Sequence, residues 1–207
     1  MTPRRILALS PHTDDAEFGA GASISKWVGS GHSVFVVAFS ACERSVPDGF
    51  PSDALRDEFN ASASVLGVSD HYCLSFNVRT MPEQRQAMLD SMIRMRESFN
   101  PHLVLCPSRA DTHQDHQVIA SEAVRAFKGT TTLGYVLPWN TPTVSVSTWV
   151  PVTRADVERK IAALRCYKSQ AHRPYATEDA VWAHARIGGL QAGCEFAEPF
   201  ETIRSVI

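Results

Sequence analysis

Apolar residues fall in short blocks whose period changes along the chain. Ile6–Leu9 is an apolar run closed by Ser10-Pro11, which reads as a buried strand. Ala16–Ser30 is made of small and apolar residues and ends at Gly29-Ser30-Gly31, as a helix with a glycine terminus does. Ser33–Phe39 is β-branched and aromatic almost throughout, which suits a strand covered on both faces of a parallel sheet. Polar Cys42–Phe50 carries Pro47 and Gly49 and reads as a loop. Ser52 is placed to cap a helix running to Leu66, with Gly67 just past its end. His71–Phe76 is a third strand. Met88, Met92, Met95 and Phe99 give Glu83–Phe99 a core-facing helical stripe, stopped by Asn100-Pro101. Leu103–Cys106 is a further strand and Val118–Phe127 a further helix.

Strand and helix therefore alternate through about the first 130 residues, the pattern of parallel strands joined by right-handed crossovers. The predicted fold class is α/β: a single Rossmann-like domain with a mostly parallel sheet flanked by helices. The remainder differs. Thr131–Val152 suggests two extended strands, Ala155–Tyr167 and Asp179–Gly188 suggest helices, and Phe196–Ile207 shows no decisive period. No repeat, low-complexity segment or linker divides the 207 residues, so one domain over 1–207 is expected. A domain of this size buries roughly 70% of its unfolded surface and needs no metal or disulfide merely to fold. A metal here would serve function.

Charge and composition narrow the function. The 20 Lys and Arg against 22 Asp and Glu give a formal charge of −2, with no basic run, which argues against nucleic-acid binding. No apolar stretch reaches the ~18 residues of a membrane span. The start, Met1-Thr2-Pro3-Arg4-Arg5, has no signal-peptide pattern behind it. The five cysteines are scattered, odd in number and never spaced as CxxC, which points to reduced thiols in a cytoplasmic protein rather than to disulfides or a thiolate-bound zinc.

Candidate chemistry lies at two strand ends, where parallel sheets bind ligands. His12-Thr13-Asp14-Asp15 follows the first strand and Asp111-Thr112-His113-Gln114-Asp115-His116 follows Leu103–Cys106. Imidazole and carboxylate suit a catalytic zinc with three protein ligands and a position for water. His12 and Asp15 can face one point on a strand-to-helix turn, and one histidine of the second cluster completes the set. Zinc would lower the pKa of a bound water towards ~7. Asp14 is then a spare carboxylate to take its proton, and the remaining histidine could stabilise an oxyanion. Asp14 or Asp15 could instead cap the following helix, and His113 and His116 could be helix-start and surface residues. No GxGxxG, phosphate-loop lysine or GxSxG motif is present.

At these residues the sequence resembles the LmbE/PIG-L family of zinc-dependent N-deacetylases. The first motif is Pro11-His12-Thr13-Asp14-Asp15-Ala16-Glu17, and the second is His113-Gln114-Asp115-His116. Arg56-Asp57-Glu58 with Leu66-Gly67-Val68 echoes the family too, as do Lys160, Tyr167, Ser169-Gln170 and Glu195-Phe196-Ala197-Glu198. The resemblance implies an LmbE-like fold and one zinc ion per chain held by His12, Asp15 and His116. It further implies Asp14 as general base, His113 as a protonated oxyanion stabiliser, and Asp115 holding the His113 ring. Arg56 would face the substrate. Thr13 and Gln114 stand where the family has proline, which removes some stiffness from each turn and no ligand.

The function expected is removal of the acetyl group from an N-acetylated amino sugar or sugar conjugate, free or nucleotide-linked. Arg44 and Arg173, on the loops Cys42–Asp53 and Gln170–Glu178, are further candidates for substrate binding through phosphate. Trp139 and Trp149 are candidates for stacking on a sugar or base, or for packing between protomers of a homo-oligomer. The competing readings are a metal-dependent phosphoesterase, which would favour two metals, and a metal-binding protein without catalysis.

Overall fold

The computed structural model describes residues 2–206. Met1 and Ile207, the outer ends of the two terminal segments considered above, lie outside the described residues. The chain runs β1 (Arg5–Ser10), α1 (Asp15–Gly29), β2 (Ser33–Ala38), α2 (Ala54–Leu66), β3 (Asp70–Cys73), α3 (Arg85–Phe99), β4 (Leu103–Pro107), α4 (Gln114–Ala126), β5 (Thr131–Tyr135), β6 (Thr148–Val152), α5 (Arg154–Leu164), α6 (Glu178–Ala192) and β7 (Phe196–Arg204). The strands form one seven-stranded sheet in the order β3-β2-β1-β4-β5-β7-β6. The first five are parallel, and β7 lies antiparallel between β5 and β6.

The apolar blocks explain the layering. On β1, Ile6 and Ala8 enter the core beneath α1, α2, α5 and α6, while Leu7 and Leu9 enter the core beneath α3 and α4. A strand buried on both faces must be apolar at every position. From β1 the chain moves outward to β2 and β3, then returns to β4 on the other side of β1. The loops after β1 and β4 therefore part at their carboxyl ends and leave a crevice between them. Both candidate motifs sit on those loops.

Three expectations shift. Helix α4 begins at Gln114 rather than Val118, because the polar residues before Val118 form a capped first turn with no apolar face to announce it. Helix α2 begins after Asp53, which makes no side-chain cap bond, so Ser52 is not its cap. The last strand, β7, was hidden because Glu198 and Pro199 interrupt its apolar residues.

Glu198 is buried for a reason. Lys160 Nζ donates to Glu198 Oε1 at 2.7 Å and to the Phe18 carbonyl at 2.6 Å. The same carboxylate accepts from the N–H groups of Ala22 and Ser23. A lysine of α5 and a glutamate of β7 thus clasp the middle of α1, each charge held by several hydrogen bonds, as a buried ion pair requires. Half-buried His184 lies in the same field. Loss of hydration, with Lys160 adding to it, pushes its pKa down to about 4. The unfolded chain then binds a proton near pH 6.5 that the folded one refuses. Stability is full above about pH 6.5 and falls as the pH drops towards 4. Thermal unfolding across this window is expected to show the loss, and His184→Gln to reduce it.

Helix α1 also needs close approach to the sheet. A Cβ at Gly19 would overlap the ring of Tyr135, which is fully buried and donates its hydroxyl to the Leu9 carbonyl. Gly19→Val is expected to cost about 1–3 kcal/mol through overpacking, read as a lower denaturant midpoint at unchanged slope.

Candidate metal centre

The turn after β1 is stapled by its own side chains. Ser10 Oγ donates to the His12 carbonyl at 2.5 Å and accepts from the Ala16 N–H at 3.0 Å. The His12 N–H donates to Asp15 Oδ2 at 2.9 Å. From the far end of the chain, the buried Tyr167 hydroxyl donates to the Thr13 carbonyl at 2.6 Å and stands 2.9 Å from Glu17 Oε1. Burial pushes the Glu17 carboxyl up to about 8, against the opposing hydrogen bonds of Tyr167 and Ser62. It is therefore largely neutral at pH 7 and adds little charge beside the aspartates.

The turn after β4 is capped in a similar way. Asp111 Oδ1 accepts from the His113 N–H at 2.8 Å. His113 Nδ1 accepts from the Asp115 N–H at 3.2 Å and caps α4. Asp115 and His116 fall in the first helical turn and face back towards β1.

Between the turns, three donor atoms close a triangle. His12 Nδ1 is 3.0 Å from Asp15 Oδ2, His116 Nε2 is 3.2 Å from Asp15 Oδ2, and His116 Nε2 is 3.3 Å from His12 Nδ1. Four ligands at 2.0–2.1 Å in a tetrahedron stand roughly 3.3 Å apart, so these three atoms fit one face of such a shell. His12, His113 and His116 also offer nitrogens within 4.8 Å of one another, a looser set in which His113 Nδ1 is already committed to its cap.

The other ring nitrogens are engaged. His12 Nε2 lies 3.2 Å from Asp115 Oδ2, and His116 Nδ1 lies 2.8 Å from Asp111 Oδ2. Each imidazole thus turns one nitrogen to a carboxylate and the other to the shared point, the arrangement that orients metal-binding histidines. The local field favours positive charge there. Burial works against charge on His12 and His116. Asp15 together with Asp115 outweighs it for His12, raising the pKa to about 9, and Asp15 with Asp111 does so for His116, raising it to about 10. Burial would likewise raise Asp15, yet His116 and His12 hold its carboxyl well below the usual range.

This geometry bears on two of the expected roles. The Asp115 carboxylate serves the His12 ring, not the His113 ring, and also accepts from the Arg79 N–H at 2.7 Å. His113 accepts at Nδ1, which leaves its proton on Nε2. Burial, and then the neighbouring His116 and His12, lower its pKa. Asp14 occupies the cap position of α1 but makes no side-chain cap bond, which removes the helix-cap reading. Its carboxyl faces the pocket and is raised to about 6, by burial first and by Asp15 second, with His12 opposing.

Above the triangle opens a cavity of about 350 Å³. Of the expected substrate-binding residues, only Arg173 lines it. Arg56 is spent on the Cys73 carbonyl and on Glu43, and exposed Arg44 lies outside the lining. Trp139 does line it, stacked on Tyr175 with centroids 3.9 Å apart and an 8° tilt, with the Phe18 ring edge-on to both. Trp149 is remote, bonded to Gln191 from β6. Sequence reading gave no role to Asp111, Arg79 or Tyr175. Asp111 carried the one readable signal among them, as an aspartate two residues before His113.

Residues 7–127 match the family described as PIG-L, GlcNAc-PI de-N-acetylase. The chain belongs to the PIG-L family. Diacetylchitobiose deacetylase of Thermococcus kodakarensis is 30% identical over 122 residues, 55% of this chain and 45% of that protein. The chain therefore matches less than half the length of that relative. The N,N'-diacetylchitobiose deacetylase of Pyrococcus horikoshii superposes with a TM-score of 0.82 at 21% identity, over 98% of this chain and 84% of the other. The 4-carboxy-2-hydroxymuconate hydratase of Pseudomonas putida superposes with a TM-score of 0.84 at 20% identity, over 99% and 98%. At those identities the superpositions establish the α/β fold. Neither selects a reaction, and the second carries a hydratase name. Among the described residues no helix is long and apolar enough to cross a membrane, and the five cysteines are free.

Proposed function

We propose that this PIG-L family chain is a metal-dependent N-deacetylase acting on an N-acetylated amino sugar or sugar conjugate. The observation that carries the reading is the donor triangle of His12, Asp15 and His116, with the uncommitted carboxylate of Asp14 beside it. Family membership and the deacetylase relatives support the same class. Zinc suits a two-histidine, one-carboxylate donor set.

His12 Nδ1, Asp15 Oδ2 and His116 Nε2 would hold the ion. When bound, it supplies Lewis acidity and lowers the pKa of a coordinated water. Asp14, free of hydrogen bonds to its own helix, accepts the proton of the attacking water and returns it to the departing amine nitrogen. His113, with its proton on Nε2, donates to the oxygen of the tetrahedral intermediate. Asp111 and Asp115 act as positioning residues, each fixing the ring of one ligand. The flat Trp139–Tyr175 pair offers a stacking wall to the apolar face of a sugar ring. A phosphoesterase would favour a second metal, and the described residues bring together one such cluster.

The test is amine release from N-acetylated hexosamines, free and conjugated, with and without chelator. Release that chelation stops and zinc restores supports the reading. Hydrolysis of phosphoesters without amine release would overturn it.

A further inference from the structure

Asp14 is the proposed base, yet its own side chain has little to hold it in place. The carboxylate makes no cap bond to α1, and among the described residues no other side chain hydrogen-bonds it. The direction of its Cα–Cβ bond is therefore set by the two rigid peptide planes that flank Asp14. The following plane is fixed locally, because the Asp14 carbonyl accepts from the Phe18 N–H at 3.0 Å. The preceding plane, which joins Thr13 to Asp14, is fixed from a distance. Its carbonyl accepts from the Tyr167 hydroxyl at 2.6 Å, across 154 positions of sequence. The His12 carbonyl, one residue earlier, is held by nearby Ser10. Of the three successive carbonyls in this turn, only that of Thr13 depends on a remote side chain.

Tyr167 is itself a fixed post. It is 2% exposed, and its hydroxyl also lies 2.9 Å from Glu17 Oε1, which accepts from buried Ser62 Oγ at 3.0 Å. Two residues on, Ser169 donates its N–H and its hydroxyl to Glu58 of α2, at 2.9 and 2.6 Å. The segment that follows carries Gln170, Arg173 and Tyr175 into the cavity wall. One hydroxyl thus ties the wall that meets a ligand to the peptide that aims the base.

We propose that Tyr167 is a positioning residue for the reaction. By holding the Thr13–Asp14 peptide it keeps the Asp14 carboxylate aimed at the attacking water and at the departing nitrogen. The inference rests on the deacetylase reading above and adds to it a residue outside the cavity lining. The metal ligands of the same turn have a tether of their own, since the His12 N–H donates to Asp15 Oδ2 at 2.9 Å. A reacting group displaced by about 1 Å loses on the order of 10²-fold in rate.

The test is a double-mutant cycle on the metal-loaded enzyme. Tyr167→Phe deletes the hydroxyl and keeps the ring. It is expected to lower kcat about 10–100-fold, with KM and metal content close to those of wild type, whereas a distorted cavity would raise KM. Added to Asp14→Asn, it is expected to change the residual rate by less than about twofold, because a residue that acts through the base then has nothing to act on. Tyr167→4-aminophenylalanine keeps a donor at the same place and is expected to restore most of kcat. Ser62→Ala is the control. It removes one buried hydroxyl from the same network and is expected to lower the melting temperature as Tyr167→Phe does, yet to leave kcat within about threefold of wild type. Equal losses of kcat in Tyr167→Phe and Ser62→Ala, or an undiminished loss in the Asp14→Asn background, overturn the positioning role.

Backbone hydrogen exchange gives a readout that needs no substrate. Residues 12–16 are expected to exchange about fivefold faster or more in Tyr167→Phe than in Ser62→Ala, with α3 and α4 unchanged. Equal exchange in the two variants overturns the tether whatever the turnover. Amine release that Asp14→Asn leaves intact sinks the base assignment itself. No amine release from any N-acetylated sugar sinks the reaction, and exchange alone then decides whether Tyr167 holds the turn.

Discussion

Asp14→Asn lowers kcat by about 10²–10⁴-fold, with metal content and fold unchanged. The substitution keeps the size of the side chain and removes its ability to take a proton. Asp14 is outside the donor triangle and makes no cap bond, so neither metal retention nor helix α1 depends on its charge. Metal analysis and thermal unfolding of the variant separate this outcome from simple collapse of the site. A variant that holds metal and keeps more than about a tenth of the activity, far above the rate left after loss of a general base, would remove Asp14 from the reaction.

The second large effect is on metal retention. His116→Ala deletes one corner of the triangle and leaves Asp15 and Asp111 without the imidazole that each now faces at 3.2 and 2.8 Å. Metal is expected to be lost on dialysis, and activity with it. Asp111→Asn keeps every ligand and weakens only the bond that orients the His116 ring. Its affinity is expected to fall about 10–100-fold, with activity recovered at high metal concentration. Titration with zinc under competition from a chelator distinguishes the two. Equal losses in both variants would mean that Asp111 does more than orient a ring. No loss in His116→Ala would dismantle the triangle.

The two motifs were legible because each is local. Thr13 and Gln114 leave neither turn unsupported, since Ser10, Tyr167 and the His113 cap brace them. The partners of the motifs were less legible. Asp115 stands between His113 and His116 in the second motif, and the family resemblance implied His113 as its partner. In the fold its carboxylate meets His12, 103 positions away. Arg44 was chosen for its position on an expected rim loop and Arg56 through the family resemblance, but a guanidinium finds the nearest carbonyl and carboxylate, and those of Arg56 are Cys73 and Glu43. No local pattern reveals that Tyr167 would reach Thr13 or that Lys160 and Glu198 would clasp α1.

By itself, the amino-acid order determined the alternating strands and helices, the parallel sheet, and the placing of two histidine–aspartate clusters at strand ends. Those follow from the period of apolar residues and from turn chemistry, which act over a few residues. Tertiary structure alone decided where β7 inserts, which carboxylate orients which imidazole, and which arginines line the cavity. Such choices depend on the direction of side chains brought together from distant segments, and direction is set by packing that no short window of sequence contains.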